Sequence, residues 1–329
     1  MLLLQQGHQV VGVDDLNDSY DVRLKQHRLH SLDEYRWFRL LQLNVADTAQ
    51  VEEGLRSAGT PVAVLNLAAR SGVRQSVTAP CACLHTNVIG TLNLLDFCRR
   101  RGVKKFVLAS SSSVYGAQVS MPYSEECETS LPLSPYAASK KAAEALCHSY
   151  HHIHGLDISI LCYFTVYGPA GRPDMSVFRF IQRIYEGHPI LIYGDGSQSR
   201  DFTYVDDVAS ATVMALKNSG YMIFNVGSNC PVSILKIVAA IEQVAGRKSL
   251  VQNCAPNSAD VSATWADISK ARNVLGWEPQ TCYQEGLSAA CEWYRANREW
   301  AHQVSTSDCG IVAARWFDGS SFITATENH

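Results

Sequence analysis

Short apolar runs alternate with amphipathic stretches along the first half of the chain. Five of these runs are typical of buried strands: QVVGVDD, RWFRLLQLNVAD, VAVLNLAA, KKFVLASSSSVYG and DISILCYFTVYGP. Helical spacing is clearest in NVIGTLNLLDFCRRRG, whose apolar stripe before a glycine stop consists of Val88, Leu92, Leu95 and Cys98. Strands that are apolar on both faces and alternate with helices indicate a parallel sheet covered on each side. The pattern therefore predicts an α/β fold with a doubly wound parallel sheet.

The composition changes after VYGP, where glycine and proline become more frequent in AGRPDMSVFRFIQRIYEGHPILIYGDGSQSRDF. This change predicts a second, smaller domain. We expect the sheet domain over residues 1–168, with a return of the chain near 202–228, and the smaller domain over 169–300. Residues 301–329 indicate no function, and we interpret them as a disordered or unrelated appendage.

The charge balance limits the classes of partner. A net charge of -3 gives the chain no basic face for nucleic acid or anionic lipid, so we expect neither partner. No apolar run reaches the roughly 18 residues that span a bilayer, and MLLL has neither a basic leader nor a cleavage site. We therefore expect a soluble, cytoplasmic protein.

Cysteine and histidine usage does not favour a disulfide framework or a metal site. The eleven cysteines are scattered and contain no C-x-x-C pair, so we expect reduced thiols. The segment HSYHHIHG contains four histidines, namely His148, His151, His152 and His154. Two of them could face one metal ion from successive helical turns, but no closing third ligand is nearby. A solvated helix end, capped by Gly155, is the favoured interpretation, and no metal is expected.

Candidate chemistry lies in SPYAASKKAAEAL. Tyr136 and Lys140 are four residues apart on a predicted helix that begins at Ser134 and Pro135, so both side chains share one face. An ammonium beside a phenol favours the phenolate, and we expect it to lower the tyrosine pKa from about 10 and make a general base. The cluster ASSSSVYG ends a predicted strand and places Ser111 where ligands bind in open parallel sheets.

In combination, seven motifs resemble the nucleotide-sugar epimerases of the extended short-chain dehydrogenase/reductase superfamily, in the NAD-dependent epimerase/dehydratase family. They are AARSGVRQS, NVIGTLNLL, SSSSVYG, SPYAASK, YFTVYGPAGRPDM, SRDFTYVDDV and LGWEP. The resemblance runs from residue 1 to about 295 and implies a Rossmann-type fold. It also implies hydride transfer from C4 of a UDP-sugar to NAD and back to the other face of a 4-keto sugar.

The resemblance implies a role for each matching residue. Tyr136 would take the proton of the sugar 4-hydroxyl, Lys140 would also hold the nicotinamide ribose, and Ser111 would hydrogen-bond the reacting oxygen. The other implied NAD contacts are Asp14, Asp15, Asn44, Ala68, Asn87 and Tyr163. Three positions depart from the family pattern: this chain has Asn44 where the family usually has aspartate, Asn66 where histidine is commoner, and Cys162 where the family usually has arginine.

The residues after the catalytic serine bear on the substrate. Dehydratases and decarboxylases of this fold carry an acid there, whereas this chain has Ser112 and Ser113. The phrases DDLNDSYDVRLK and FTVYGPAGRPDM look most like those of the UDP-glucuronate-specific branch, which implies conversion of UDP-glucuronate to UDP-galacturonate. The implied contacts to the sugar carboxylate are Ser111, Ser112, Ser113, Thr165 and Arg172. Alternatively, the serines close a turn and Arg172 pairs with Asp174 on the surface.

Two further substrate contacts are implied, Arg200 at the UDP diphosphate and Asp260 at the uridine ribose. No G-x-x-G-x-x-G occurs in the chain, and MLLLQQG matches the second half of the first helix of the family pattern. We therefore expect roughly twenty residues, with the first strand and glycine loop, to be absent.

Three functional interpretations remain. The first is an NAD-dependent UDP-sugar epimerase whose recorded start lies too late or whose chain is a defective copy. The second is a non-catalytic nucleotide-sugar-binding protein, and the third is a UDP-glucose 4-epimerase. A homodimer is compatible with each interpretation.

Overall fold

The five predicted strand runs all form strands in the computed structural model, which describes residues 1–117, 120–255 and 261–306. The last run divides into two strands, because the chain leaves the first sheet after Tyr163. In chain order the strands are β1 Val10–Asp14, β2 Phe38–Gln42, β3 Ala63–Asn66, β4 Lys105–Ser111, β5 Asp157–Tyr163, β6 Thr165–Tyr167, β7 Ile190–Tyr193, β8 Ser199–Tyr204, β9 Tyr221–Val226, β10 Pro231–Ser233 and β11 Val251–Cys254. The predicted α/β class is confirmed.

Helices separate most of the strands. The α-helices are α1 Leu2–Gln5, α2 Val22–His30, α3 Thr48–Gly54, α4 Val73–Thr78, α5 Pro80–Leu84, α6 Gly90–Arg101, α7 Pro135–His154, α8 Ser176–Glu186, α9 Val205–Met214, α10 Ile234–Ala245, α11 Tyr283–Ala296 and α12 Arg298–Ala301. Short 3-10 helices cover Leu55–Ala58, Ser112–Tyr115 and Ala215–Lys217, and π-helical turns cover His85–Ile89 and Ala271–Leu275. As its sequence predicts, α6 ends at a left-handed glycine, Gly102.

The main sheet is parallel and has the order β3-β4-β5-β9. Every residue of its central strand β4 is buried. A separate parallel pair, β1-β2, aligns Asp14 with Gln42. Among the residues that the structure describes, no strand hydrogen-bonds to the other edge of β1 or β3, so the expected single sheet is divided between them.

Both faces of the main sheet are covered. Phe106 and Leu108 of β4 pack with α6 and α7 on one face, whereas Val107 packs with Val208 and Ala211 of α9 on the other. This alternation follows from the two-residue period of a strand whose two faces are both apolar. The sheet is therefore doubly wound, as predicted.

The second half of the chain has its own apolar core. Helices α8, α10 and α11 enclose it with two small sheets, β10-β8-β6 and β11-β7. Strand β9 pairs with β5 instead, so the chain returns to the main sheet at Tyr221–Val226. None of the helices in the described ranges is long and apolar enough to cross a membrane.

The expected appendage 301–329 begins with packed residues. Ala301 and Val304 are 0% and 2% exposed, and the side-chain amide of Gln182 donates to both of their carbonyl oxygens. The boundary at residue 301 was therefore placed too early. The segment 307–329 lies outside the described residues.

Candidate active site

The start of α7 positions the predicted catalytic pair. The hydroxyl of Ser134 accepts a hydrogen bond from the backbone N–H of Ala137 at 3.1 Å, and Pro135 occupies the first helical position. These are the predicted N-cap and N1 residues. The helix ends at the predicted left-handed cap, Gly155. Tyr136 therefore lies in the first turn of a helix that is fixed at both ends.

The carboxyl end of β4 meets this first turn. Lys140 is 4% exposed and donates from Nζ to the carbonyl oxygen of Ala109 at 2.7 Å, and its Nζ lies 6.0 Å from the ring centroid of Tyr136. The Ser111 side chain lies close enough to the Tyr136 phenol to act on its pKa. The structure therefore brings together the three residues for which a catalytic role was predicted.

The expected effect of Lys140 on the tyrosine pKa was wrong. Burial raises the pKa of Tyr136 above its ordinary value, while the Ser111 side chain and the charge of Arg172 act to lower it. Burial also lowers the pKa of Lys140 to about 8. Removing both side chains from water therefore outweighs the attraction between ammonium and phenolate that the spacing suggested.

The serine cluster closes a turn, as one interpretation proposed. The Ser111 hydroxyl accepts from the backbone N–H of Ser113 at 3.2 Å and lies 3.2 Å from the Ser113 hydroxyl oxygen. Ser112 begins the 3-10 helix that follows β4 and is half-buried, as is Ser113. The turn keeps three hydroxyls at the end of β4.

Arg172 forms the predicted ion pair, yet it also faces a cleft. Its Nε and Nη2 donate to the two carboxylate oxygens of Asp174 at 3.0 and 2.5 Å, and its Nη1 donates to the hydroxyl of Ser71. Arg172 and Thr165 line one cleft. The other polar or small residues of its wall are Gly168, Gly171 and Ser176. The ion pair is three-quarters buried rather than on the surface, with the Arg172 side chain 26% exposed.

The predicted cofactor carboxylates lie at the carboxyl end of β1. Asp14 Oδ1 accepts from the backbone N–H of Leu16 at 2.7 Å and from Lys25 Nζ at 3.0 Å. Asp15 Oδ1 lies 3.9 Å from the same ammonium group. Sequence reasoning missed Lys25, whose side chain is 8% exposed on α2. A charged residue in an amphipathic helix gives no signal that it is buried.

The remaining predicted cofactor residues follow other strands. Asn44 comes after β2, and Ala68 comes after β3. Asn87 is buried in a π-helical turn, where its side chain accepts from the Arg70 N–H at 2.8 Å and donates to Ser139 at 2.8 Å. Asn87 therefore connects the segment after β3 to α7.

Two other polar groups lie at the ends of strands in the main sheet. The hydroxyls of Tyr163, the last residue of β5, and Thr212 lie 2.7 Å apart. Asn66 is the last residue of β3, and its buried Oδ1 has no hydrogen-bond partner among the described residues. Both positions lie where ligands bind in open parallel sheets.

The two predicted UDP contacts are farther along the chain. Arg200 lies on β8, where Nη1 donates to the carbonyl oxygen of Ser199 at 2.8 Å. Burial raises the pKa of the nearby Tyr123, and the positive charge of Arg200 acts in the opposite direction. Asp260 lies outside the described residues.

Sequence reasoning also missed Glu144. Its side chain is 3% exposed, accepts from the Ser110 hydroxyl at 2.5 Å and lies 3.2 Å from Lys141 Nζ. Cys162 Sγ is 3.8 Å from the same carboxylate. Glu144 follows Lys140 by four residues, so the helical period could have placed it on the face of α7 that meets the sheet.

The family of the chain follows from a comparison with known sequences. Residues 1–227 match the NAD dependent epimerase/dehydratase family. The chain belongs to this family. Over 298 residues it is 49% identical to the UDP-glucuronate 4-epimerase of Thermodesulfobacterium geofontis, a match covering 90% of this chain and 92% of that protein. It is 38% identical over 315 residues to UDP-glucuronate 4-epimerase 1 of Arabidopsis thaliana, with 89% and 72% covered.

Solved epimerase structures have the same fold. The UDP-glucuronic acid 4-epimerase of Bacillus cereus, in complex with UDP-glucuronic acid and NAD, superposes with a TM-score of 0.84 and 35% identity, covering 90% of this chain and 94% of that one. The UDP-glucose 4-epimerase of Thermotoga maritima with UDP-glucose gives a TM-score of 0.83 and 30% identity, with the same coverage. The Rossmann-type fold of this family member is confirmed.

Proposed function

We propose that this protein interconverts UDP-glucuronate and UDP-galacturonate by NAD-dependent epimerisation at C4 of the sugar. The observation that carries the proposal is the grouping of Tyr136, Lys140 and Ser111 where β4 meets the first turn of α7. Relatives with this activity in their names match about nine-tenths of the chain, which supports the same chemistry here.

The residues at the strand ends fit a dinucleotide. Asp14 offers a carboxylate at the end of β1, and the buried Asn66 Oδ1 is an acceptor that no group of the described residues satisfies. The residues proposed to hold NAD are Asp14, Asp15, Asn44, Ala68, Asn87, Tyr136, Lys140 and Tyr163. When bound, NAD takes the hydride from sugar C4 and returns it. The chain itself must bind the sugar and move the proton of the 4-hydroxyl.

Tyr136 is the proposed proton carrier. Its phenolate oxygen takes the proton of the 4-hydroxyl as C4 is oxidised, and the resulting phenol gives the proton back when C4 is reduced. The Ser111 hydroxyl is the proposed hydrogen-bond partner of the reacting oxygen. Lys140, on the same helix face with Nζ 6.0 Å from the ring centroid of Tyr136, is the proposed contact to the nicotinamide ribose.

The cleft beside these residues supports a charged substrate. Thr165 and Arg172 share this cleft, and the hydroxyls of Ser111, Ser112 and Ser113 cluster at the end of β4. Oxidation at C4 makes the sugar acid a β-keto acid, which readily loses carbon dioxide. A carboxylate held by hydroxyls and a guanidinium stays away from the geometry that breaks this bond.

The two apolar cores support a division of the chain into one domain that binds NAD and one that binds the UDP-sugar. We assign the NAD-binding domain to residues 1–168 with the return near 202–228, and the UDP-sugar domain to 169–306, which includes the packed residues after 300. Arg200 and Asp260 are the proposed contacts to the UDP portion. A homodimer is a further part of the proposal.

The test is chromatography of products after incubation of the purified protein with NAD and each UDP-sugar. UDP-glucuronate should give UDP-galacturonate with little UDP-pentose, and UDP-glucose should react poorly. Faster conversion of UDP-glucose would favour the neutral-sugar epimerase instead. Tight binding of UDP-glucuronate without turnover would favour a non-catalytic binding protein.

A further inference from the structure

The turn that carries Arg172 has an unusual backbone. Ala170 has φ of +50°, a left-handed conformation that alanine rarely adopts. Gly168, at the start of the same turn, has φ of +155°. A turn with alanine in this conformation needs a restraint from outside the segment, because its own backbone preference opposes it.

That restraint comes from α2, 142 residues earlier in the chain. Arg28 donates from Nε and Nη2 to the carbonyl oxygen of Ala170 at 3.1 and 2.7 Å. Its Nη1 donates to the hydroxyl of Tyr20 at 2.8 Å, and Tyr20 packs against the buried Leu24 and Phe178. All three donor nitrogens of the half-buried guanidinium are thus engaged, two of them with one peptide oxygen.

The position of this peptide bears directly on Arg172. The Ala170 carbonyl belongs to the peptide that joins residues 170 and 171, so holding it fixes the direction in which the chain enters Arg172. A charged, planar donor is suited to this, because two N–H groups of one guanidinium converge on the carbonyl oxygen and together restrict its position.

We infer that Arg28 is a positioning residue for substrate selectivity, which holds the Ala170 turn so that Arg172 can recognise a carboxylate-bearing sugar. This inference rests on the proposed function, in which Arg172 contacts the sugar carboxylate. Arg28 itself does not touch the substrate. It acts from the domain that binds the cofactor on a turn at the edge of the UDP-sugar domain.

Steady-state kinetics of the full chain with two substrates test the inference. Arg28→Met should raise KM for UDP-glucuronate about tenfold and leave kcat/KM for UDP-glucose within about twofold. A neutral sugar offers no carboxylate to Arg172, and the longer-range effect of the Arg172 charge on Tyr136 changes little when the turn shifts. Arg28→Lys keeps the positive charge but not the pair of guanidinium donors, so it should restore only part of the selectivity. Arg23→Met is the matched control, since Arg23 lies on the same helix and, within the part of the chain that the structure describes, its side chain bonds Asp21 and Gln303 and not the Ala170 turn. Equal losses with both substrates, or no loss, would overturn the inference.

A double-mutant cycle in denaturant tests the contact without any substrate. Glycine adopts the left-handed conformation freely, so Arg28→Met should destabilise an Ala170→Gly background less than the native chain. We expect a coupling of about tenfold in the unfolding equilibrium constant. Additive effects would overturn the positioning role. If the wild-type protein does not convert UDP-glucuronate, the proposed function fails, and the cycle still decides whether Arg28 holds the turn.

Discussion

At the scale of single residues, opposing influences set the pKa of the Tyr136 phenol. Burial raises its pKa, and the Ser111 hydroxyl and the Arg172 guanidinium act in the other direction. A proton carrier needs an environment that does not trap either protonation state. Arg172 therefore acts on two groups in this site: the sugar carboxylate that it is proposed to bind, and the Tyr136 side chain that is the proposed base.

Removing the hydroxyl should expose the role of Tyr136. Tyr136→Phe should lower kcat by about two to four powers of ten and change KM for the UDP-sugar little, because proton transfer is lost while the sugar contacts stay. Tyr150→Phe is the matched control, as Tyr150 lies on the same helix and has no proposed catalytic role. A Tyr136→Phe protein that keeps more than about a tenth of the rate would refute the assignment.

At this scale, the sequence predicted which residues come together better than it predicted the pKa of Tyr136. Four-residue spacing on one helix was enough to bring Tyr136 and Lys140 onto one face, and the end of a strand was enough to place Ser111. The pKa of Tyr136 depends on how many atoms surround it after folding, which the spacing does not encode. The ion pair between Lys25 and Asp14 also depends on the folded structure, because it joins a helix to the end of a strand.

At the scale of elements, one buried contact ties α7 to β4. Ser110 donates to the Glu144 carboxylate at 2.5 Å, and both side chains are buried. Because Ser110 precedes Ser111 on the strand and Glu144 follows Lys140 on the helix, this contact fixes the two elements that carry the catalytic groups. Lys141, more exposed, adds an ion pair at 3.2 Å.

Truncation of this contact should cost stability. Glu144→Ala leaves the Ser110 hydroxyl without its acceptor and opens space in the interior, so the free energy of unfolding should fall by about 2 to 4 kcal/mol in urea titrations. Glu144→Gln keeps an acceptor oxygen and loses only the partly exposed ion pair, so its loss should be about 1 kcal/mol or less. Equal losses in the two variants would mean that the charge, rather than the hydrogen bond, holds the elements together.

Element types were easier to predict than their connections. The apolar runs and helix caps identified β1 to β5, α6 and α7, since periodicity and capping residues act locally. The pairing of β6 with β8 and the packing of residues 301–306 depend on contacts between distant segments. The boundary at residue 301 failed for this reason.

At the scale of the whole molecule, α2 joins the two ends of the described chain. Leu24 is fully buried against Phe178 and Val304, and the ring of His27 packs against Trp293 with centroids 5.4 Å apart. The Trp293 indole donates to His27 Nε2 at 3.1 Å. Helix α2 therefore contacts the C-terminal part of the chain through Leu24 and His27, and the Arg172 turn through Arg28.

The contact between His27 and Trp293 should make the stability of the protein depend on pH. An indole is only a donor, so His27 Nε2 must be unprotonated to accept from it. Burial lowers the pKa of His27, and the neighbouring charges of Arg28 and His30 lower it further. The unfolded chain therefore binds a proton at a higher pH than the folded chain does. The stability from this contact is present above the unfolded pKa of about 6.5 and is lost as the pH falls below it.

Substitution of the ring by an acceptor that does not titrate separates this contact from other groups. His27→Gln can accept from Trp293 at any pH, so urea unfolding at pH 8 and pH 5.5 should show a smaller loss of stability on acidification than in the wild type. His152→Gln is the control, because His152 is exposed on α7 and is not among the groups that shift the pKa of His27, so its replacement should leave the pH dependence nearly unchanged. If His27→Gln retains the wild-type pH dependence, titration of His27 does not weaken the attachment of α2 to the C-terminal helices. In that case acid should not loosen the helix that carries Arg28, and selectivity for the charged sugar should survive mild acidification.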